Sequence, residues 1–218
     1  RGFSLLDTQT YASNTFLALR ALRRVRIIHN DLKPDNLLLS LDKKSVKLAD
    51  FGNAVDLADP DRKSYVRPAY CSSYRAPEIT LGQSYSTRVD IWSAGVTLFE
   101  LATGTPLLLA RTNNGMLHEM LRICGAFPKR FATSGKVAAK HFTAGGNFRH
   151  KRLDATTGVE QEEEVLPMAS FPRPQKPTLE LLESALVEPR GGIDAQSHGA
   201  LLRSLADLVA GCLIPDPG

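Results

Sequence analysis

Ala12, Phe16, Leu19 and Leu22 recur at the three- and four-residue spacing of one helical face, which predicts a helix from about Thr8 to Arg24. Val25 to Ile28 then reads as a short strand. Leu37-Leu38-Leu39 and Val46-Lys47-Leu48 flank the polar stretch Ser40 to Ser45, the pattern of two short strands around a turn. From about Thr87 to Thr103, Val89, Ile91, Trp92, Val96, Leu98, Phe99 and Leu101 cover most of a helical circumference. Such a helix is buried on nearly all sides, and Gly104 and Pro106 stop it. Asn113 to Cys124 is amphipathic through Met116, Leu117, Met120, Leu121 and Ile123, with Gly125 at its end. Two more helices are expected, about Thr178 to Val187 and about Gly199 to Leu213, the second burying Leu201, Leu202, Leu205, Leu208 and Val209.

Elsewhere the periodicity degrades. Residues 129–198 carry Gly145-Gly146, the acidic Glu160 to Glu164, Pro167, Pro172, Pro174, Pro177 and Gly191-Gly192. This reads as an insertion with a polar, partly disordered centre.

Composition narrows the class only a little. A hydrophobic content of 43% in 218 residues allows a real core. A net charge of +4 is too weak to argue for nucleic acid. The densest basic cluster, Arg20, Arg23, Arg24 and Arg26, ends a helix with apolar residues between, which marks a solvated face. Cys71, Cys124 and Cys212 stand far apart without metal-ligand spacing, the usage of a reduced, intracellular setting. The apolar run around Ile91 to Leu109 is interrupted by Glu100 and Gly104 and flanked by Asp90, so it is a core helix and no membrane span.

The chemistry concentrates in His29-Asn30-Asp31-Leu32-Lys33-Pro34-Asp35-Asn36 and, fourteen residues after Asn36, Asp50-Phe51-Gly52. Asp31 can accept a proton from a hydroxyl nucleophile, and Lys33 can neutralise a phosphoryl group. Asn36 and Asp50 are hard oxygen ligands of the kind Mg²⁺ takes. The intervening hairpin returns both to one end, where they can share a metal.

In this order and spacing, with Ala76-Pro77-Glu78 further on, the motif resembles the catalytic loop and metal-binding motif of eukaryotic protein kinases. The resemblance implies an α+β kinase fold, here a mainly α C-terminal lobe with a small β-hairpin. The N-terminal lobe is expected to be absent, since no glycine-rich loop, strand lysine, helix glutamate or hinge precedes the first helix. The arginine that pairs with Glu78 in relatives is expected beyond Gly218. The expectation is thus one partial kinase domain over 1–218, cut at both ends, with 129–198 inserted in it.

Roles follow from the same resemblance. Asp31 orients the substrate hydroxyl and takes its proton, while Lys33 stabilises the transferring group. Asn36 and Asp50 hold Mg²⁺, and with Lys33 and Leu38 they make the ATP contacts. Leu38 is the floor beneath adenine, although an ordinary strand-core leucine is equally compatible with the residues alone. His29, Phe51, Glu78 and Asp90 are internal support. Asn53 to Tyr74 is the activation segment, with Tyr70 its candidate phosphosite. Lys33 points to Ser/Thr hydroxyls on protein substrates.

The insertion and Tyr74-Arg75-Ala76-Pro77-Glu78 are similar to the CMGC group. Thr112-Asn113-Asn114-Gly115-Met116-Leu117, Phe127-Pro128-Lys129, Asn147-Phe148 and Phe16-Leu17-Ala18-Leu19 are similar to the pre-mRNA-processing factor four kinases, which implies spliceosome components as partners and a nuclear location. Asn30 stands where kinases switched by activation-loop phosphorylation carry an arginine, a departure those splicing kinases share. Ser72 stands where CMGC kinases place an arginine against a phosphotyrosine, which puts a tyrosine switch in doubt. The polypeptide alone is expected to be inactive. The competing readings are a pseudokinase or scaffold, opposed by intact Asp31, Lys33, Asn36 and Asp50, and a small-molecule phosphotransferase, opposed by Lys33 and Ala76-Pro77-Glu78.

Overall fold

The computed structural model describes residues 2–59, 73–154, 156–171, 177–186 and 195–215. The chain enters through α1, Leu5–Arg24, which begins three residues before the apolar period does. The cause is Ser4, whose Oγ accepts the Asp7 amide at 3.1 Å and caps the first turn. Leu5, Thr8, Tyr11, Ala12, Thr15 and Leu19 form its buried stripe. Arg26, at φ 60°, turns the chain into β1, Ile27–Ile28.

The catalytic-loop motif follows, with a 3₁₀ turn at Pro34–Asn36, and then the hairpin of β2, Leu37–Leu39, and β3, Val46–Leu48. Leu37 faces Leu48 and Leu39 faces Val46 in antiparallel register. Two side chains of α1 fasten this hairpin from below. The Tyr11 hydroxyl donates to the Lys43 carbonyl at 2.8 Å, and Asn14 Oδ1 accepts the Val46 amide at 3.0 Å. A second 3₁₀ turn, Phe51–Asn53, leads to β4, Val55–Asp56, which pairs antiparallel with β1.

The short helix α2, Pro77–Thr80, precedes α3, Arg88–Thr103. Around α3 the burial is nearly complete, from Val89 through Thr103, with Trp92, Val96, Leu98 and Ala102 at its centre. Gly104 closes it at φ 80°, a left-handed cap that favours glycine. α4, Asn113–Cys124, matches its predicted limits, and Thr112 Oγ1 caps it by accepting the Gly115 amide at 3.0 Å.

The described residues of 129–198 form more regular elements than the sequence pattern shows. They contain α5, Lys129–Thr133, the hairpin of β5, Phe148–Leu153, and β6, Glu160–Leu166, and α6, Pro177–Ala185. The acidic run is thus a strand, laid antiparallel against the basic Arg149-His150-Lys151-Arg152. Phe142, Phe148 and Phe171 are buried at its root and continue the main core. Asn114 of α4 ties it in place: its Nδ2 donates to the Arg149 carbonyl at 2.9 Å and its Oδ1 accepts the Lys151 amide at 2.8 Å.

α7, Ala195–Cys212, packs on α3 and α6. Gly95 permits the first contact, because a Cβ there would lie 2.6 Å from Cys212 Cβ. The architecture is mainly α, as expected. It carries three two-stranded antiparallel sheets among the described residues, where the sequence predicted one hairpin and an isolated strand.

Candidate active site

Asp90, near the start of α3, reaches back under the loop that follows β1. Its carboxylate accepts the His29 amide at 2.7 Å and the Asn30 amide at 2.9 Å. Burial pushes the Asp90 carboxyl above the usual carboxylate range, while those two amides pull the other way. Asn30 sits at φ 66°, a conformation that asparagine tolerates better than most residues. The loop is therefore turned sharply at Asn30, just before Asp31, and pinned from beneath.

His29 is fully buried and links two segments. Its Nε2 lies 2.9 Å from the Ala49 carbonyl, an oxygen that can only accept, so Nε2 carries the proton. Its Nδ1 then accepts the Asp31 amide at 3.4 Å. The ring also meets the edge of Phe51, centroid to centroid 5.0 Å at 72°. Phe51 is nonetheless 49% exposed, so its support of His29 is one-sided.

At Asp31 the polar groups converge. Its Oδ2 accepts from Lys33 Nζ at 3.1 Å, Asn36 Nδ2 at 3.3 Å and Asn53 Nδ2 at 3.2 Å. Asn36 Nδ2 also donates to the Asp31 carbonyl at 2.7 Å. That orientation of the Asn36 amide leaves its oxygen as the end offered to a cation. The Asn36 carbonyl accepts the Ala49 amide at 2.9 Å and continues the ladder below Leu37 and Leu48. Asn36 and Asp50 therefore flank the same open end of the hairpin.

Asp50 adopts φ 62°, and its Oδ1 accepts the Gly52 amide at 3.2 Å. This local turn exposes the carboxylate. Leu38 is 59% exposed on the hairpin face and belongs to no core. On the far side, Glu78 of α2 is buried, and Tyr74 donates to Glu100 of α3 at 2.6 Å. Burial and that carboxylate push the Tyr74 phenol well up. Ser93 holds the Tyr74 carbonyl at 2.8 Å. A small cleft between these groups is lined by Asn30, Asp31, Leu32, Tyr74, Arg75 and Ile79, among others, which sets Asp31 at the mouth of the segment carrying Tyr74. Ser72 and the candidate phosphosite Tyr70 lie outside the described residues.

The structure thus gathers Asp31, Lys33, Asn36 and Asp50 on one side of the fold, over His29 and Asp90. Glu78 lies in α2, and Leu38 is two residues beyond Asn36 on the exposed face of the hairpin. Sequence reasoning missed Asn53, Tyr74, Ser93 and Glu100. Asn53, directly after Asp50-Phe51-Gly52, and Tyr74, at the head of Tyr74-Arg75-Ala76-Pro77-Glu78, had a positional signal. Chemically, a carboxylate held by three donors on one oxygen presents the other to an incoming hydroxyl, and the adjacent ammonium and hard oxygens suit a polyphosphate and its cation.

Comparison with known proteins agrees with this geometry. A family model described as protein kinase domain matches residues 1–217. The chain is 34% identical over 216 residues to serine/threonine-protein kinase prp4 of Schizosaccharomyces pombe, covering 99% of this chain and 43% of that one. It is 32% identical over 216 residues to serine/threonine-protein kinase prpf4B of Dictyostelium discoideum, covering 99% of this chain and 25% of the relative. Over 151 residues, 69% of this chain, it is 36% identical to the dual specificity tyrosine-phosphorylation-regulated kinase mbk-2 of Caenorhabditis elegans, of which that match covers 18%. The chain spans less than half the length of each of these relatives.

Proposed function

The chain belongs to the protein kinase domain family, and from that premise we propose that it serves as the C-terminal lobe of a serine/threonine kinase of the pre-mRNA splicing type, with 129–198 as its insertion. Its substrates are Ser/Thr hydroxyls of proteins, spliceosome components among them, and its location is the nucleus. Similarity to the prp4 and prpf4B kinases along 99% of the chain supports this choice within the family. Among the described residues no helix is long and apolar enough to cross a membrane.

The observation that carries the reading is the clamp on Asp31. Lys33, Asn36 and Asn53 all donate to Oδ2, while the backbone at His29 and Asn30 is fixed by Asp90. A general base must be held in position before it is useful, and positioning with charge neutralisation supplies most of the catalysis of phosphoryl transfer. Asp31 takes the proton of the substrate hydroxyl as its oxygen bonds to the γ-phosphorus of ATP and ADP leaves. Lys33 offsets charge on the transferring group. Leu38 offers an apolar surface to adenine.

The family implies Mg²⁺ with ATP, and the residues fit it. Asn36 has its amide nitrogen committed to Asp31, which leaves the oxygen for a cation, and Asp50 presents an exposed carboxylate beside it. Two oxygen side chains are what Mg²⁺ accepts when waters and phosphates complete its shell. When bound, the ion neutralises phosphate oxygens. A polypeptide of these 218 residues alone transfers no phosphate in this reading, because the remaining nucleotide contacts are assigned to an N-terminal lobe.

The experiment is radiolabel transfer from ATP to spliceosomal and generic Ser/Thr proteins by the chain completed with an N-terminal lobe. Label that appears on serine or threonine and is lost with Asp31→Asn supports the proposal. Nucleotide-independent partner binding, with no transfer from the completed domain, gives the scaffold reading instead.

A further inference from the structure

We infer that Asn53 is a positioning residue for phosphoryl transfer: its side-chain amide fixes the Asp31 carboxylate so that Oδ1 faces the substrate hydroxyl. The inference rests on the reading of Asp31 as general base. Each of the three side-chain donors to that carboxylate among the described residues ends on Oδ2, and Oδ1 receives none of them. A carboxylate has two equivalent oxygens and turns freely about its last bond unless donors distinguish them. Here they are distinguished.

The three donors differ in what else they do. Lys33 has a flexible stem, is partly exposed, and faces the phosphoryl group in the same reaction. Asn36 gives its stronger bond, 2.7 Å, to the Asp31 carbonyl and reaches Oδ2 only at 3.3 Å. Asn53 approaches Oδ2 at 3.2 Å from a separate segment, the 3₁₀ turn Phe51–Asn53. Its own backbone is held to the loop, since Asn30 Nδ2 donates to the Asn53 carbonyl at 3.4 Å. The two segments are thus cross-linked in both directions, the Asn30 side chain donating to the Asn53 carbonyl and the Asn53 side chain to the Asp31 carboxylate.

A consequence follows for the turn. The residue that orients the base is three positions from Asp50, and one short turn, capped by Asp50 itself, carries both. Displacing that turn would remove Asn53 from Asp31 as it removed Asp50 from the hairpin end. The inward turn is therefore a condition for both halves of the chemistry.

The test uses the chain completed with an N-terminal lobe and two substitutions of similar volume. Asn53→Leu removes the donor, and Asn53→Asp replaces it with a like charge against Oδ2. The expected result is a fall in kcat of about tenfold for Asn53→Leu, the scale of one hydrogen bond to a charged group. Asn53→Asp should fall further, by about 10² or more, the scale of a general base put out of place. KM for Mg·ATP should stay within about twofold in both, as for a change that leaves nucleotide binding in the ground state untouched. A merely structural asparagine predicts the opposite order, since aspartate mimics its shape and leucine does not. Wild-type kcat in Asn53→Asp, with Asp31→Asn inactive, overturns the role of Asn53 and leaves Asp31 standing. Turnover retained in Asp31→Asn overturns the base assignment itself. Should Asn53→Leu fail to fold, Asn53→Asp alone decides.

Discussion

The carboxylate of Asp90 accepts the backbone amide of His29 at 2.7 Å across 61 residues of sequence, and in the same way it takes the amide of Asn30. A helix buried on nearly every side thereby sets the height of the loop that carries Asp31. Asp90→Ala leaves two amides unsatisfied in a site that is only 2% exposed at Asp90. The expected loss is about 2–4 kcal/mol, one to two buried donors' worth. Urea unfolding followed by circular dichroism checks it; an unchanged midpoint would mean that the loop finds other acceptors.

Asp31 and Asp50 are expected to fail differently. With an N-terminal lobe present, Asp31→Asn should cut kcat by about 10² or more with little change in KM for Mg·ATP, as for loss of a positioned base. Asp50→Asn should act first on engagement of Mg·ATP, and raising Mg²⁺ should recover part of it. Steady-state kinetics at several Mg²⁺ concentrations separates the two. Equal behaviour of the variants would merge the roles.

His141 gives a pH dependence with a definite sign. Asn114 has its oxygen on the Lys151 amide and its nitrogen on the Arg149 carbonyl, so the Asn114 nitrogen also faces His141 Nδ1, at 3.1 Å, as a donor. Only a neutral ring can accept that bond. Burial, then Lys151 and Lys140, depress the imidazole to about 4. A depressed value in the fold means that stability is intact above the ordinary histidine range and lost as pH falls from about 6.5 towards 4. The loss amounts to about 3 kcal/mol for a shift of that size. Unfolding midpoints between pH 7 and 4 should slope downwards, and a His141→Gln variant, which does not titrate, should flatten the slope.

In the proposed reading, two exposed apolar side chains of these 218 residues would meet a nucleotide held against an N-terminal lobe. Leu38 is 59% and Phe51 49% exposed. Mg·ATP should bind no better than roughly millimolar, near ~4 kcal/mol, and the apolar face should favour self-association. Calorimetric titration and sedimentation check both. Micromolar binding would show a more complete site.

Much of this was legible in the sequence because period and chemistry coincided. The Leu37–Leu39 and Val46–Leu48 hairpin and the helix at Asn113–Cys124 have the observed limits, since apolar runs around a polar turn and amphipathic spacing with a terminal glycine are local signals. The motif around Asp31 was readable as a set of types at fixed spacing. Asn53 was not, because nothing local says that a turn residue will meet a carboxylate 22 positions earlier. The Glu160–Leu166 strand was also hidden. Its side chains are nearly all exposed, so its pattern is that of a solvated loop, and its strand character comes from the partner Phe148–Leu153.

That pairing carries a consequence for ionic conditions. One strand bears the cations and its neighbour the anions, as in the Arg149–Glu162 pair at 3.1 Å and the Arg152–Glu163 pair at 4.0 Å, all on partly or largely solvated side chains. Attraction of this kind fades as the Debye length shrinks from about 10 Å at 0.1 M salt to about 3 Å at 1 M. These pairs begin just beyond the buried Phe148, whereas the Phe142, Phe148 and Phe171 root is apolar and indifferent to salt. Concentrated electrolyte should therefore loosen the tip before the base, and amide exchange would show it as a gradient running outward from Phe148.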